Sequence, residues 1–189
     1  MVVLLPALAR AHQGGSDTGL VAGLMHPVFG PDHLLAMISV GVVSVQLGGD
    51  NIWRIPLAFV SAMILGAVLG FQQVALPYAE LGIATSVLVL GMGIVMAHRA
   101  MSPWPITVLV AFFGALHGHA HGAEIPGSVS PALYTLGFVI STSVLHIFGM
   151  IIGEVATMQS WLSKGLRFTG AAVMASGVAF LLQSFSGTV

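Results

Sequence analysis

The stretch GLMHPVFGPDHLLAM, residues 23–37, interrupts a run of membrane-type apolar sequence that extends from about Thr18 to Leu47. Pro27 and Pro31 lack an amide hydrogen, and their rings crowd the carbonyls of Gly23 and Pro27. With Gly30 between them, a regular helix is not expected through residues 26–31. The backbone groups freed there must be met by protein, water or a ligand. Interrupted helices of this kind build midplane ion sites in several transporters. An ordinary proline kink is the alternative, but His26, Asp32 and His33 crowd the same break. A carboxylate at the bilayer centre costs about 2.5–3.5 kcal/mol on insertion scales, so it is expected to face a cavity or a partner.

Outward from this stretch the composition sets the class. Of 189 residues, 57% are apolar and only 6% are Asp, Glu, Lys or Arg. Soluble domains average about a quarter charged residues, so the chain reads as an all-α, polytopic membrane protein. The long apolar runs exclude the short alternating segments of a β-barrel. A net charge of −1 argues against nucleic acid as a partner. With no cysteine, disulfides and thiolate ligands are both excluded, and eight histidines outnumber the five Lys plus Arg.

Six stretches reach the roughly 20 residues needed to cross a bilayer. They run from about Thr18 to Leu47 (broken), Trp53 to Leu76, Leu81 to Met101, Trp104 to His121, Pro131 to Glu154 and Leu166 to Phe185. The expected architecture is a compact bundle of six transmembrane helices with a broken first helix. Residues 1–11 read as a signal peptide, with Ala9 and Ala11 at the small positions before a cleavage site. That leaves one six-helix domain over 12–189. If His12 is external, Arg54, Arg99, Lys164 and Arg167 all fall on cytoplasmic loops or their edges, and Glu80 and Glu124 outside. Both mature termini are then periplasmic, in a bacterial inner membrane. The small-xxx-small pairs Gly66/Gly70, Gly114/Gly118 and Gly149/Gly153 are expected to serve helix packing.

A second polar cluster, FFGALHGHAHGAE, closes the fourth span. His117 and His121 are four apart and share a helix face, a spacing one metal ion can bridge. His119 points elsewhere on a continuous helix, and Glu124 follows in the external loop. The fifth span adds His146, with Ser141, Thr142 and Ser143 a turn before it. Imidazole and carboxylate suit nickel, cobalt, zinc or copper. Asp32 is expected either to bind metal directly or to orient His33 from behind. His12 is the outermost candidate, since its free α-amine and imidazole would chelate after cleavage. An exposed tail is the alternative there. His98 beside Arg99 reads as solvated, and Met92 and Met96 as core residues rather than soft ligands.

HPVFGPDHLLAM resembles the HPxxGxDHxxxM signature of the HupE/UreJ family of bacterial nickel permeases. FGALHGHAHGAE and HIFGMIIGE resemble that family's second and third polar motifs, and the likeness covers essentially the whole chain. It implies uptake of nickel, or alternatively cobalt, as a transported ion rather than a cofactor, in service of hydrogenase or urease maturation proteins. Residue by residue, His26, Asp32 and His33 match the first motif, His117 and His121 the second, and His146 the third. Larger nickel/cobalt transporters carry a related HX4DH motif, whereas here five residues separate His26 from Asp32.

Two further classes stand beside a permease. An intramembrane metal-dependent hydrolase would need an activating motif, and neither H-E-x-x-H nor G-x-S-x-G occurs. A metal-sensing accessory protein would have reason to keep buried ligands. The chain also lacks a G-x-x-x-x-G-K phosphate loop, so it has no ATP-driven motor of its own.

Overall fold

The computed structural model describes residues 17–125 and 127–186, and those residues form helices and turns without a strand. The leader expected at residues 1–11, and His12, lie outside them. The helices are α1 (Asp17–Phe29), α2 (Pro31–Leu47), α3 (Asn51–Phe71), α4 (Ala79–Met96), α5 (Pro103–Ala123), α6 (Pro131–Thr157) and α7 (Ser160–Ser186). Helices α3 to α7 are each long and apolar enough to cross a membrane. At 13 residues α1 extends only about 20 Å, too short to span alone. Counted together as one broken span, α1 and α2 bring the candidate spans to six, with a bend of 81° at the break.

The break is narrower than the two prolines imply. Helix α1 continues through Pro27 to Phe29, so Pro27 removes one hydrogen bond without ending the helix. The interruption is confined to Gly30, because Pro31 occupies the first turn of α2. No intrahelical partner awaits an amide there. Helix α3 stops at Phe71, short of Leu76, where Gln72 and Gln73 lead into a turn and Gln73 takes a φ of +57°. Helix α7 begins at Ser160, earlier than expected, because the stretch before Gly165 contains no residue that breaks a helix.

Packing pairs helices that are not neighbours in sequence: α3 with α5, α4 with α7, and both α1 and α2 with α6. Glycine brings their backbones together. A Cβ built on Gly66 or Gly70 would strike the Ala115 or His119 carbonyl of α5. One on Gly114 or Gly118 would strike the Phe59 or Met63 carbonyl of α3. Gly149 meets Ile38 in the same way, and Gly153 lies against Val42 and Val45. All three small-residue pairs are therefore helix contacts. Ala36, Met37, Val40, Ile55, Phe59, Met63 and Val87 form the sealed centre. Large apolar side chains such as Leu65, Phe112, Ile151 and Leu182 face outward, as a lipid-facing surface requires.

One end of the bundle is basic. Arg99 lies over Gly48, and Arg167 donates to the Val95 carbonyl. Arg54 and Lys164 open α3 and α7 at the same end. Trp53, Trp104 and Trp161 stand exposed in the first turns of α3, α5 and α7, which is the interfacial position such rings favour.

Candidate metal centre

The site is assembled around the break. The Gly30 amide donates to the His26 carbonyl at 3.3 Å and so closes α1, while the Gly30 carbonyl accepts from Leu34 at 2.8 Å and opens α2. Asp32 and His33 therefore fall in the first turn of α2, where a carboxylate is favoured by the helix dipole. Asp32 Oδ1 accepts from the His33 amide at 2.8 Å and from ring Nδ1 at 2.7 Å. A carboxylate only accepts, so Nδ1 carries the hydrogen and Nε2 is left with its lone pair. A Cβ on Gly30 would sit 3.0 Å from His33 Nδ1 and 3.3 Å from Asp32 Oδ1. Glycine at the break thus lets the Asp32–His33 pair close over it.

Histidines from three elements then converge. One ring nitrogen each from His26 (α1), His33 (α2) and His121 (α5) lie within 4.8 Å of one another. Imidazole nitrogens about 2.1 Å from a shared ion stand at most about 4.2 Å apart, so small rotamer changes close the trio on a metal. His121 rests against the Phe138 ring at 4.0 Å between centroids. His117 lies one step deeper, its ring 5.1 Å from that of His33. Its Nδ1–H donates to the Phe113 carbonyl at 2.8 Å, which leaves Nε2 bare. His33 Nε2, His117 Nε2 and both nitrogens of His121 are buried without a partner among the described residues. Leaving such groups unmet costs about 1–3 kcal/mol each. Converging neutral imidazoles with bare lone pairs have the chemistry of a transition-metal site.

The other sequence candidates divide. Asp32 stands behind His33 rather than in the trio, the arrangement by which a carboxylate orients a metal-binding imidazole. Glu124 lies at the rim, 4.0 Å from His26 Nε2 and 58% exposed. His119 is turned away, donating from Nε2 to the Val74 carbonyl at 2.7 Å. His146 is fully buried and outside the trio, and the Phe59 ring contacts both it and His117. His98 is exposed. Met92 and Met96 are exposed as well, on the lipid side and not in the core.

Three neighbours carried no sequence signal of a role. Glu80, in the first turn of α4, lies within electrostatic reach of Glu124, Asp32 and His33. In sequence it served only to mark an external loop. Phe59 and Phe138 wall the histidines, yet their codes do not differ from those of any other apolar residue.

Asp32→Asn separates orienting from ligation. The amide keeps an acceptor but loses the charge that supports the His33 ring. Nickel affinity of the purified protein, read by equilibrium dialysis, is expected to fall about 10–100-fold with the helix content unchanged. Unchanged affinity would remove Asp32 from the site.

The chain matches the family described as HupE / UreJ protein over residues 1–180. It is 38% identical over 179 residues to Protein HupE of Rhizobium leguminosarum bv. viciae, covering 94% of this chain and 92% of that relative. No solved structure matches it.

Proposed function

The chain belongs to the HupE/UreJ family, and from that premise we propose that it is a nickel permease of the bacterial inner membrane, with cobalt as the alternative ion. The observation that carries this reading is the convergence of His26, His33 and His121 at the broken first span. A tight storage site would be closed all round. Here His26 and Glu124 remain partly open at one end, while His117 and His146 extend the imidazole series inward. Several moderate sites in series suit an ion that must also leave.

In this reading Glu80 and Glu124 form an acidic mouth that concentrates cations, and His26 receives the ion. His33, oriented by Asp32, and His121 complete its coordination, and His117 and His146 take it onward. The basic end of the bundle is cytoplasmic, residues 1–11 are a cleaved leader, and the mature termini are periplasmic. No motor is required. A membrane potential contributes about 2.3 kcal/mol per charge per 100 mV, so about 4.6 kcal/mol for a divalent ion, an accumulation on the order of a thousandfold. Hydrogenase or urease maturation proteins would consume the imported nickel. The hydrolase alternative loses one candidate hydroxyl, since Ser143 donates back to the Val139 carbonyl at 2.8 Å.

The test is radioactive nickel uptake in cells depleted of their own nickel transporters, with competing cobalt, zinc and copper. The expected result is saturable uptake above background that survives an excess of zinc. Background-level uptake at confirmed membrane expression would reject nickel import by this protein alone and favour a sensing or accessory role.

A further inference from the structure

His146 has no counterpart to the support that His33, His117 and His119 receive. It is 2% exposed, and neither ring nitrogen has a partner among the described residues. Its surroundings follow from how α2 meets α6. Gly41 lies against the His146 carbonyl and Gly149 against the Ile38 carbonyl, so the two helices run in backbone contact with a fixed register. One turn before Gly41 is Met37, and one turn before His146 is Thr142. These two stand level, because the Thr142 hydroxyl donates to Met37 Sδ at 3.3 Å. Helical side chains lean toward the N-terminus of their helix. That lean directs the His146 side chain toward the turn that holds Thr142, which Met37 meets from α2.

Phe59 bounds this group on the side toward the outer trio. Its ring centroid is 5.1 Å from that of His146 and 5.4 Å from that of His117. Met37, Thr142 and Phe59 are all completely buried. A methionine in a sealed core is ordinarily packing, and a buried histidine ordinarily finds a hydrogen bond. Here the histidine has none among the described residues, and a buried thioether–hydroxyl pair stands one turn before it.

We propose that His146, the Met37 thioether and the Thr142 hydroxyl form a second, inner transition-metal station, containing sulfur and no carboxylate. The proposal rests on the permease reading and adds to it a donor set with its own selectivity. Magnesium and calcium require several oxygen ligands, and this station offers only one. Thioether and imidazole instead favour the softer late transition metals. With no anionic ligand the station holds a divalent ion less tightly than the outer trio, where Asp32 supplies a negative charge. An ion that crosses the Phe59 partition thus meets a weaker site that excludes the abundant hard cations a second time.

X-ray absorption at the nickel edge tests this on the purified full-length protein, loaded with nickel(II) to one and then two equivalents. The first equivalent is expected to show nitrogen and oxygen neighbours only, and the second to add a sulfur neighbour. Met37→Leu, close to volume-conserving, should lose the sulfur signal and the second equivalent while the first is kept. His33→Ala should keep the sulfur signal while losing the first site, which provides a check should Met37→Leu not fold. A wild type that binds one equivalent only, binds two without sulfur, or a sulfur signal that survives Met37→Leu would each overturn the inner station and leave the permease reading standing. Failure to bind any nickel would overturn both.

Discussion

On the permease reading, His33→Ala is expected to reduce nickel uptake to the background of cells lacking the protein, with insertion and folding retained. Among the described residues His33 is the one ring that contacts His26, His117 and His121 together, at centroid distances of 5.9, 5.1 and 4.5 Å. Its loss leaves two ligands at the break and strands the Asp32 carboxylate, which spends its oxygen on His33 alone. Removing a mere orienting group costs about 10–100-fold in metal affinity, so removing the ligand should cost more than about 100-fold. The fold survives because the helix contacts around the break are made by Gly23 and Gly41, not by this ring. Uptake is measured at matched membrane levels, with His98→Ala as the control. His98 is exposed in the α4–α5 connection, and that variant should transport normally. If it fails as badly as His33→Ala, the assigned path is wrong.

Gly118→Val is expected to produce the largest loss of stability, and it acts through backbone packing on the helix that carries His117 and His121 rather than through a ligand atom. A Cβ at Gly118 would penetrate the Met63 carbonyl, with the carbonyl carbon and the Ala67 amide close behind. What it meets is backbone, which cannot swing aside as a side chain can. Gly114 and Gly122 make the same kind of approach one turn away on either side, so the helices cannot tilt to make room. Overpacking at such a contact is expected to cost about 3 kcal/mol or more. The midpoint of thermal unfolding in detergent should drop, and so should the amount of protein in the membrane. Whatever remains should be inactive, because His117 and His121 ride on the displaced helix. Gly127→Ala is the comparison, since a Cβ there meets nothing within 4 Å. Equal stability of the two variants would show that the α3–α5 contact is not what holds the bundle.

Much of this could be read from the chain because the membrane leaves few options. Long apolar runs separated by short turns gave six spans, and the cost of burying His26, Asp32 and His33 marked the break. The i,i+4 spacing of His117 and His121 put them on one face, and that face does point at the break. What could not be read depends on contacts between distant segments. Only the folded bundle shows Asp32 behind His33, because either role requires the same carboxylate one position away. His119 is turned off by the Val74 carbonyl, 45 residues distant. That His146 and His117 share the Phe59 ring of a third helix is equally a contact between distant segments. Met92 and Met96 face outward because α4 presents its other side to α2 and α7, and an apolar code on a lipid-exposed helix does not reveal which face is inner.

The glycine contacts also dictate an order of events during synthesis. Each tight partnership skips at least one helix: α3 waits for α5, α2 for α6 and α4 for α7. A nascent chain emerging into the bilayer therefore cannot lock two successive spans together and proceed. Early helices must remain loosely associated until their later mates arrive. Gly91 on α4, whose backbone is met by Met174 of α7, is closed only once α7 has been made. Until α7 is in place, that bare backbone stripe of α4 faces lipid, and its burial waits on the Met174 backbone.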